Sequence, residues 1–99
     1  MLEFGDIELD VSTSKLKCKQ TNESVELVCK ELKIFEYLIN NSELILSKDQ
    51  IYDRVWGMDN ESESNNLEAY LSFIRKKIKA IGSNIKIKAV RGLGYKLEK

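Results

Sequence analysis

The chain has 99 residues, 42% of them hydrophobic, and its sixteen basic and sixteen acidic residues give a formal net charge of zero. This length and composition fit one domain with an apolar core and exclude intrinsic disorder, and no apolar run is long enough to cross a membrane. The sequence has no histidine, no glycine-rich phosphate loop and no nucleophile elbow, so we expect neither an enzyme nor a bound metal or cofactor. Without a signal peptide, we expect a cytoplasmic protein in which Cys18 and Cys29 are reduced thiols.

The first 28 residues predict an antiparallel sheet. Apolar and polar side chains alternate, or nearly alternate, over short segments that are separated by turn-prone glycine, aspartate, asparagine, serine and threonine. Connections this short favour neighbouring antiparallel strands. The predicted strands are residues 2–4, 7–9, 16–19 and 25–28.

The hydrophobic period then changes to that of a helix. Leu32, Phe35, Leu38 and Ile39 form an apolar stripe that ends near residues 40–41. Val28 stands where a capping hydroxyl is expected, so the start of this helix should be weak. Glu31 in its first turn can still favour the positive end of the helix.

A second helix has a clearer beginning. Ser47 and Gln50 match the capping box, in which a hydroxyl and an amide three residues apart satisfy the first backbone N–H groups. Apolar residues between 51 and 56 supply the buried side, and Gly57 is a natural stop. The polar, acidic segment 58–64 is predicted to be a loop.

The third predicted helix is the longest. Its apolar residues step by four, three, four and three positions, which places them on one narrow stripe. That stripe consists of Leu67, Leu71, Ile74, Ile78 and Ile81. Residues 82–84 should end the helix.

A hairpin completes the chain. Residues 85–90 and 95–97 are predicted strands joined through Gly92 and Gly94, which tolerate the positive φ of a tight turn, with Arg91 at the tip. The predicted class is therefore α+β: a winged helix-turn-helix with an N-terminal antiparallel four-stranded sheet, three helices and a C-terminal β-hairpin wing. We expect one domain over 1–99, with the sheet at 1–28, the helices at 29–82 and the wing at 85–97.

The zero net charge conceals a strong asymmetry. Residues 64–99 contain nine basic and two acidic residues, whereas residues 1–63 contain seven basic and fourteen acidic ones. The basic third therefore includes the longest helix and the hairpin. Cations on a helix and an adjoining hairpin are typical of a surface that binds a polyanion.

Five segments in their order and spacing resemble the effector domain of OmpR/PhoB-type response regulators, over residues 27–97. They are KELKIFEYL at 30–38, LSKDQI at 46–51, VWG at 55–57, IRKKI at 74–78 and VRGLGYKL at 90–97. The resemblance implies sequence-specific binding of double-stranded DNA to control transcription. It also implies that the third helix enters the major groove and the wing the minor groove.

The resemblance also implies partners. Regulators of this kind carry a receiver domain, and nothing like it is present in this chain, so we expect the chain to be the effector part of a longer protein. Through that missing domain, a sensor kinase would drive dimerisation on promoter repeats, whereas the isolated domain is expected to be a monomer. The family's RNA polymerase contact maps to the loop formed by Met58, Asp59, Asn60, Glu61, Ser62 and Glu63.

Candidate DNA-binding residues follow from the helical wheel and from the resemblance. Asparagine can pair with adenine, apolar side chains can contact the thymine methyl, and lysines meet phosphate. A wing arginine suits a narrow minor groove, and a lysine at a helix N-terminus suits phosphate. The candidates are Lys48, Trp56, Asn65, Asn66, Ala69, Tyr70, Phe73, Arg75, Lys76, Lys77, Arg91 and Gly92.

Several positions depart from the family pattern. Arginine is frequent where this chain has Asn65 and Phe73, and histidine where it has Tyr70, while Ala89 and Val28 replace threonines. We therefore expect readout to use apolar contacts, phosphate and DNA shape more than arginine–guanine pairs.

Alternative interpretations remain open for single residues and for the whole domain. Tyr70 and Phe73 could pack under the wing or a loop, Trp56 could be a core residue, and Arg91 could close the hairpin by a local salt bridge. The lysines could be solvated surface residues. For the whole domain, the alternatives are a protein-interaction module and a single-strand-binding domain that stacks bases on aromatic rings.

Overall fold

The computed structural model describes residues 1–57 and 66–99. In these residues four strands precede three helices and two strands follow, so the predicted α+β winged-helix architecture is confirmed. The elements are β1 Leu2–Phe4, β2 Ile7–Asp10, β3 Lys15–Cys18, β4 Ser24–Glu26, α1 Cys29–Asn40, α2 Lys48–Val55, α3 Asn66–Ala80, β5 Lys86–Val90 and β6 Gly94–Glu98. None of the helices in the described residues is long and apolar enough to cross a membrane.

The N-terminal sheet is antiparallel and has the strand order β1-β2-β3-β4. Its inner face is apolar because the alternation seen in the sequence buries Leu9 of β2 opposite Leu16 of β3. On its outer face Glu8 is paired with Lys17, and opposite charges across an antiparallel pair are favourable. The acidic and basic residues of this segment thus neutralise one another in part.

Helix α1 starts without a side-chain cap, as predicted, because Val28 has no acceptor. Its start is nevertheless held, since the Glu31 carboxylate accepts a hydrogen bond from the N–H of Val28 at 2.8 Å. Val28 serves as the N-cap residue with an extended backbone and is not part of β4, which ends at Glu26. The predicted fourth strand, 25–28, is therefore two residues too long at this end.

The ends of the other helices follow their sequence signals. The Ser47 hydroxyl accepts from the N–H of Gln50, whose amide oxygen accepts from the N–H of Ser47, which completes the predicted capping box. Beyond α3, Gly82 and Ser83 donate to the carbonyls of Lys79 and Ile78, the pair of bonds that ends a helix in a Schellman motif.

The wing is a hairpin of β5 and β6, and a short segment before α2 extends it. Leu46 and Tyr95 exchange two backbone hydrogen bonds of 2.8 Å, so Leu46 lies beside β6 as a third, one-residue strand. Glu43 adds a bond from its N–H to the carbonyl of Leu97. These bonds join the wing to the turn between α1 and α2, a link that local sequence patterns did not predict. Buried residues of the sheet, the helices and the wing form one apolar cluster.

Candidate nucleic-acid interface

Helix α3 exposes one face directly opposite its core stripe. Leu67, Leu71, Ile74, Ile78 and Ile81 are buried, as their spacing predicted. At 100° per residue, the described residues that lie about 120° or more from this stripe are all exposed: Ala69, Ser72, Phe73, Lys76, Lys79 and Ala80. We call the first four of these, Ala69, Ser72, Phe73 and Lys76, the α3 face, because they lie together on the first three turns of the helix. They rise about 10 Å along the helix, which is close to the width of a DNA major groove.

One flank of the α3 face is held by the wing and by α2. The Arg75 guanidinium donates two hydrogen bonds, of 3.1 and 2.9 Å, to the carbonyl oxygen of Ile87 in β5. Nearer the start of α3, the Glu68 carboxylate forms an ion pair with the Lys48 ammonium, with 3.0 Å between Oε2 and Nζ, and both side chains are exposed. Glu68 hydrogen-bonds to Lys48 and attracts its charge, which together raise the pKa of Lys48 above its ordinary value. Lys48 therefore stays charged but is already paired.

The other flank is held by α1 and the chain before it. The Lys77 ammonium lies 2.6 Å from the carboxylate of Glu31, which is only 2% exposed, and also donates to the carbonyl of Glu26. Glu31 in turn accepts the backbone N–H of Val28. The Lys77 side chain is partly buried within this network, which does not favour the predicted phosphate contact.

A row of aromatic rings supports the α3 face from the protein side. The ring centroids of Tyr52 and Trp56 are 4.9 Å apart, those of Trp56 and Tyr70 6.0 Å, and those of Tyr70 and Phe73 6.4 Å. Trp56 is 5% exposed and belongs to the core, as the alternative interpretation held. Tyr70 is half-buried against it. Phe73, at the end of the row, remains 48% exposed.

The wing tip lies beside the start of α2. Residues 47–49 and 89–95 line an open cleft between them. Arg91 is exposed at the tip, and no ion pair that the described residues form includes it. Gly92 has a φ of +78°, and Gly94, at the start of β6, has a φ of +146°, so the predicted need for glycine in this hairpin is confirmed.

The structure thus separates the predicted site residues. Ala69, Phe73 and Lys76 share the α3 face, while Arg91 and Gly92 form a second surface at the wing tip. The side chains of Lys48, Trp56, Tyr70, Arg75 and Lys77 are engaged by other parts of the protein. Asn66 begins α3, but its side chain, together with Asn65 and the predicted polymerase-contact residues 58–63, lies outside the described residues.

Sequence reasoning missed Ser72. It is absent from the predicted DNA-binding residues, yet it is exposed on the α3 face. The signal was available, because Ser72 lies about 140° from Leu67 on a helical wheel. The sequence does not show that Arg75 and Lys77, on either side of this face, make intramolecular contacts.

A helix-turn-helix made of α2 and α3, with an exposed face on its second helix and a basic hairpin beside it, defines a winged-helix DNA-binding domain. Comparison with known proteins identifies the family. Residues 22–97 match the family model described as "Transcriptional regulatory protein, C terminal". The chain therefore belongs to the family of C-terminal effector domains of OmpR/PhoB-type response regulators, and it is a DNA-binding domain of the kind that regulates transcription.

Individual relatives agree with this assignment. The chain is 37% identical over 97 residues to the transcriptional regulatory protein DltR of Streptococcus agalactiae, covering 98% of the chain and 42% of that protein. It is 36% identical over 99 residues to the sensory transduction protein RegX3 of Mycobacterium tuberculosis, covering 99% and 43%. The chain thus spans less than half the length of these curated relatives.

Solved structures show the same fold. The C-terminal domain of the nisin resistance regulator NsrR, a lantibiotic response regulator, superposes with a TM-score of 0.84 at 30% identity, covering all of this chain and 98% of that domain. The DNA-binding domain of the response regulator AdeR, solved in complex with an intercistronic region, gives a TM-score of 0.82 at 22% identity, with 98% of each chain covered.

Proposed function

We propose that this domain binds duplex DNA with the α3 face in the major groove and the wing tip, through Arg91, at the adjacent minor groove. The observation that carries this proposal is the division of α3 into occupied flanks and one exposed face. Because Arg75 and Lys77 are tied to β5 and α1, the helix is oriented with Ala69, Ser72, Phe73 and Lys76 outward. A pre-positioned face loses little conformational entropy on binding.

Phosphate contacts would come from the basic residues around this face. Lys76 is exposed on α3, and the N-terminus of α2 lies near the wing, where its free N–H groups favour an anion. We propose that Arg91 enters the minor groove, whose negative potential is strongest where the groove is narrow. Lys48 is exposed and could add a further contact, but its ammonium is already paired with Glu68, which reduces its attraction for a phosphate.

The geometry does not favour the single-strand alternative. Stacking of successive bases needs several exposed rings, but Trp56 is buried and Tyr70 is packed against it. In the described residues Phe73 alone offers a largely exposed aromatic face on α3. One ring is too few for a stacking platform.

In a longer regulator, we propose that phosphorylation of a receiver domain brings two such domains onto promoter repeats, and that the isolated chain is a monomer. A sensor kinase would act only through that receiver. We propose a cytoplasmic location because that is where bacterial chromosomal DNA lies. The polymerase contact at residues 58–63 stays a prediction.

The proposal is tested by titrating the chain with duplex DNA at several salt concentrations. We expect log affinity to fall linearly with log salt, and Arg91→Ala to reduce the slope by about one and the affinity by roughly 1–2 kcal/mol. Lys17→Ala in the N-terminal sheet is the matched control, and it should leave the salt slope and the affinity unchanged. Equal or better binding to the unpaired strand, or no duplex binding even when two domains are tethered, would contradict the proposal.

A further inference from the structure

We propose that the α3 face recognises A·T base pairs through the C5-methyl groups of thymine, with Phe73 as the specificity-determining side chain. This inference rests on the proposed placement of α3 in the major groove. Two of the four residues on the face, Ala69 and Phe73, are apolar, one is the hydroxyl-bearing Ser72, and one is the cation Lys76. The thymine methyl is the apolar group that the major groove presents.

Two of the α3 cations that could read guanine, Arg75 and Lys77, are directed elsewhere. Guanine is usually recognised by a bidentate contact from arginine or lysine to its O6 and N7 atoms. Arg75 instead donates from two nitrogens to the carbonyl of Ile87, and Lys77 is bound to Glu31. Lys76 is the cation within the α3 face, and Lys79 is exposed beyond the C-terminal end of that face. Recognition by this face is therefore dominated by apolar contact.

Phe73 is positioned by the protein. Its ring meets that of Tyr70 edge-to-face, at an interplanar angle of 87°, and Tyr70 rests on the buried Trp56. Edge-to-face pairs of this kind are favourable, so the ring is held at the surface with one side still exposed. Burying the exposed part of a large apolar side chain against another apolar group is favourable, because apolar surface is removed from water. The thymine methyl provides that group in the major groove.

Ala69 and Ser72 complete the site around the ring. Ala69 lies one turn before Phe73, and its small side chain lets the helix backbone approach the base edges closely. Ser72 can donate to or accept from either purine or pyrimidine edges, so it adds a hydrogen bond without selecting a base. The base preference of the face is thus assigned mainly to Phe73.

The test begins with selection of bound sequences from a random duplex library by the 99-residue chain. We expect A·T pairs to be enriched at two or more adjacent central positions. Each enriched thymine is then replaced by deoxyuridine, which removes the methyl and keeps the base-pairing atoms. We expect at least one replacement to weaken binding by about fourfold, the effect of one buried methyl-sized group.

Variants of the protein assign this loss to Phe73. In Phe73→Ala, the thymine duplex and the matched deoxyuridine duplex should bind equally, because the double-mutant cycle then contains no methyl–ring contact. Leu44→Ala removes another exposed apolar side chain, in the turn before α2, and should keep the fourfold discrimination. Phe73→Arg should shift the selected sequences towards guanine. Thermal unfolding of each variant checks that the fold is retained.

The outcomes separate this inference from the proposed function. Salt-sensitive duplex binding with enriched G·C pairs at the centre would overturn thymine recognition and leave DNA binding intact. Enriched A·T pairs that bind equally as deoxyuridine duplexes would assign the preference to DNA shape and would also overturn it. Absence of any duplex binding would overturn both.

Discussion

Lys76 and Lys77 are neighbours in the sequence with different roles in the structure. The side chain of Lys76 is exposed on the α3 face, whereas Lys77 pairs with the buried Glu31 and the carbonyl of Glu26. A carboxylate as buried as Glu31 needs a partner, because removing one member of a buried pair leaves an uncompensated charge. One helical step of 100° therefore separates a DNA-contact candidate from a structural residue.

We expect Lys77→Met to lower the free energy of unfolding by about 2–3 kcal/mol, somewhat less than for a fully buried pair because the Lys77 side chain is partly exposed. The matched variant Lys76→Met should change stability by less than about 0.5 kcal/mol and should weaken duplex binding instead. Urea unfolding and DNA titration of both variants measure this difference. Equal stability of the two would show that the Glu31–Lys77 pair does not hold α1 and α3 together.

Glu68 is an acidic residue at the edge of the α3 face, and its carboxylate forms an ion pair with the Lys48 ammonium. We expect Glu68→Gln to tighten duplex binding by roughly fivefold at low salt, since it frees a cation at the start of α2 and removes a negative charge close to the DNA. The measurement is a binding titration at low and high salt, where the gain should shrink. Glu23→Gln, on the exposed turn between β3 and β4, is the control. Unchanged affinity of Glu68→Gln would place Lys48 away from the phosphates.

At the scale of elements, the wing depends on a close approach to the turn before α2. Gly94 has a positive φ, and a Cβ atom at this position would overlap the carbonyl oxygen of Leu46, which accepts the N–H of Tyr95. Gly92, two residues earlier, also has a positive φ but has open space where its Cβ would be. The two glycines of the hairpin are therefore required for different reasons.

We expect Gly94→Ala to destabilise the domain by about 3 kcal/mol or more, because backbone strain and steric overlap act together. Gly92→Ala should cost about 1–2 kcal/mol from backbone strain alone. Urea unfolding monitored by the fluorescence of Trp56 compares the two variants. Similar losses for both would mean that the wing can move away from Leu46 without penalty.

The elements themselves were well predicted because their signals are local. The capping box at Ser47, the apolar stripe of α3 and the glycines of the hairpin each act within a few residues. The link between Leu46 and Tyr95 was not predicted, because it joins residues 49 positions apart through backbone groups that every residue carries. The Arg75 bonds to the carbonyl of Ile87 were not predicted either, because there a side chain donates to a backbone group of another element, 12 positions away.

At the scale of the whole molecule, a polar junction connects the N-terminal sheet to the end of α3. Asp6, in the turn between β1 and β2, accepts a hydrogen bond of 2.5 Å from the Ser83 hydroxyl and one of 3.0 Å from the N–H of Asn84. Burial raises the pKa of the Asp6 carboxyl, but the hydrogen bonds from Ser83 and Asn84 outweigh this effect and the pKa is lowered. The junction therefore favours the ionised form.

A lowered pKa makes this junction sensitive to acid. Its stabilisation is fully present above the unfolded-state pKa of about 3.9 and is lost as the pH falls through the lower folded-state pKa. We expect Asp6→Asn to be less stable than the native chain at pH 6, with the difference shrinking towards pH 3. Urea unfolding at both pH values measures it, with Asp53→Asn on the exposed side of α2 as the control. A difference that is constant with pH would contradict the assigned role of the carboxylate.

The sequence alone determined the order of strands and helices, the core stripe of each helix, the charge asymmetry and the resemblance to the family. These properties depend on periodicity, capping and composition, which are read along the chain. Only the tertiary structure decided which side chains of α3 are exposed and which contact other elements. The partners that occupy its flanks, Glu31, the carbonyl of Ile87 and Trp56, come from other elements, and folding brings them together. Within the basic third of the chain, the α3 face carries one charged residue, Lys76, and the wing tip carries Arg91, while Lys79, Lys86 and Lys88 are exposed outside these two surfaces.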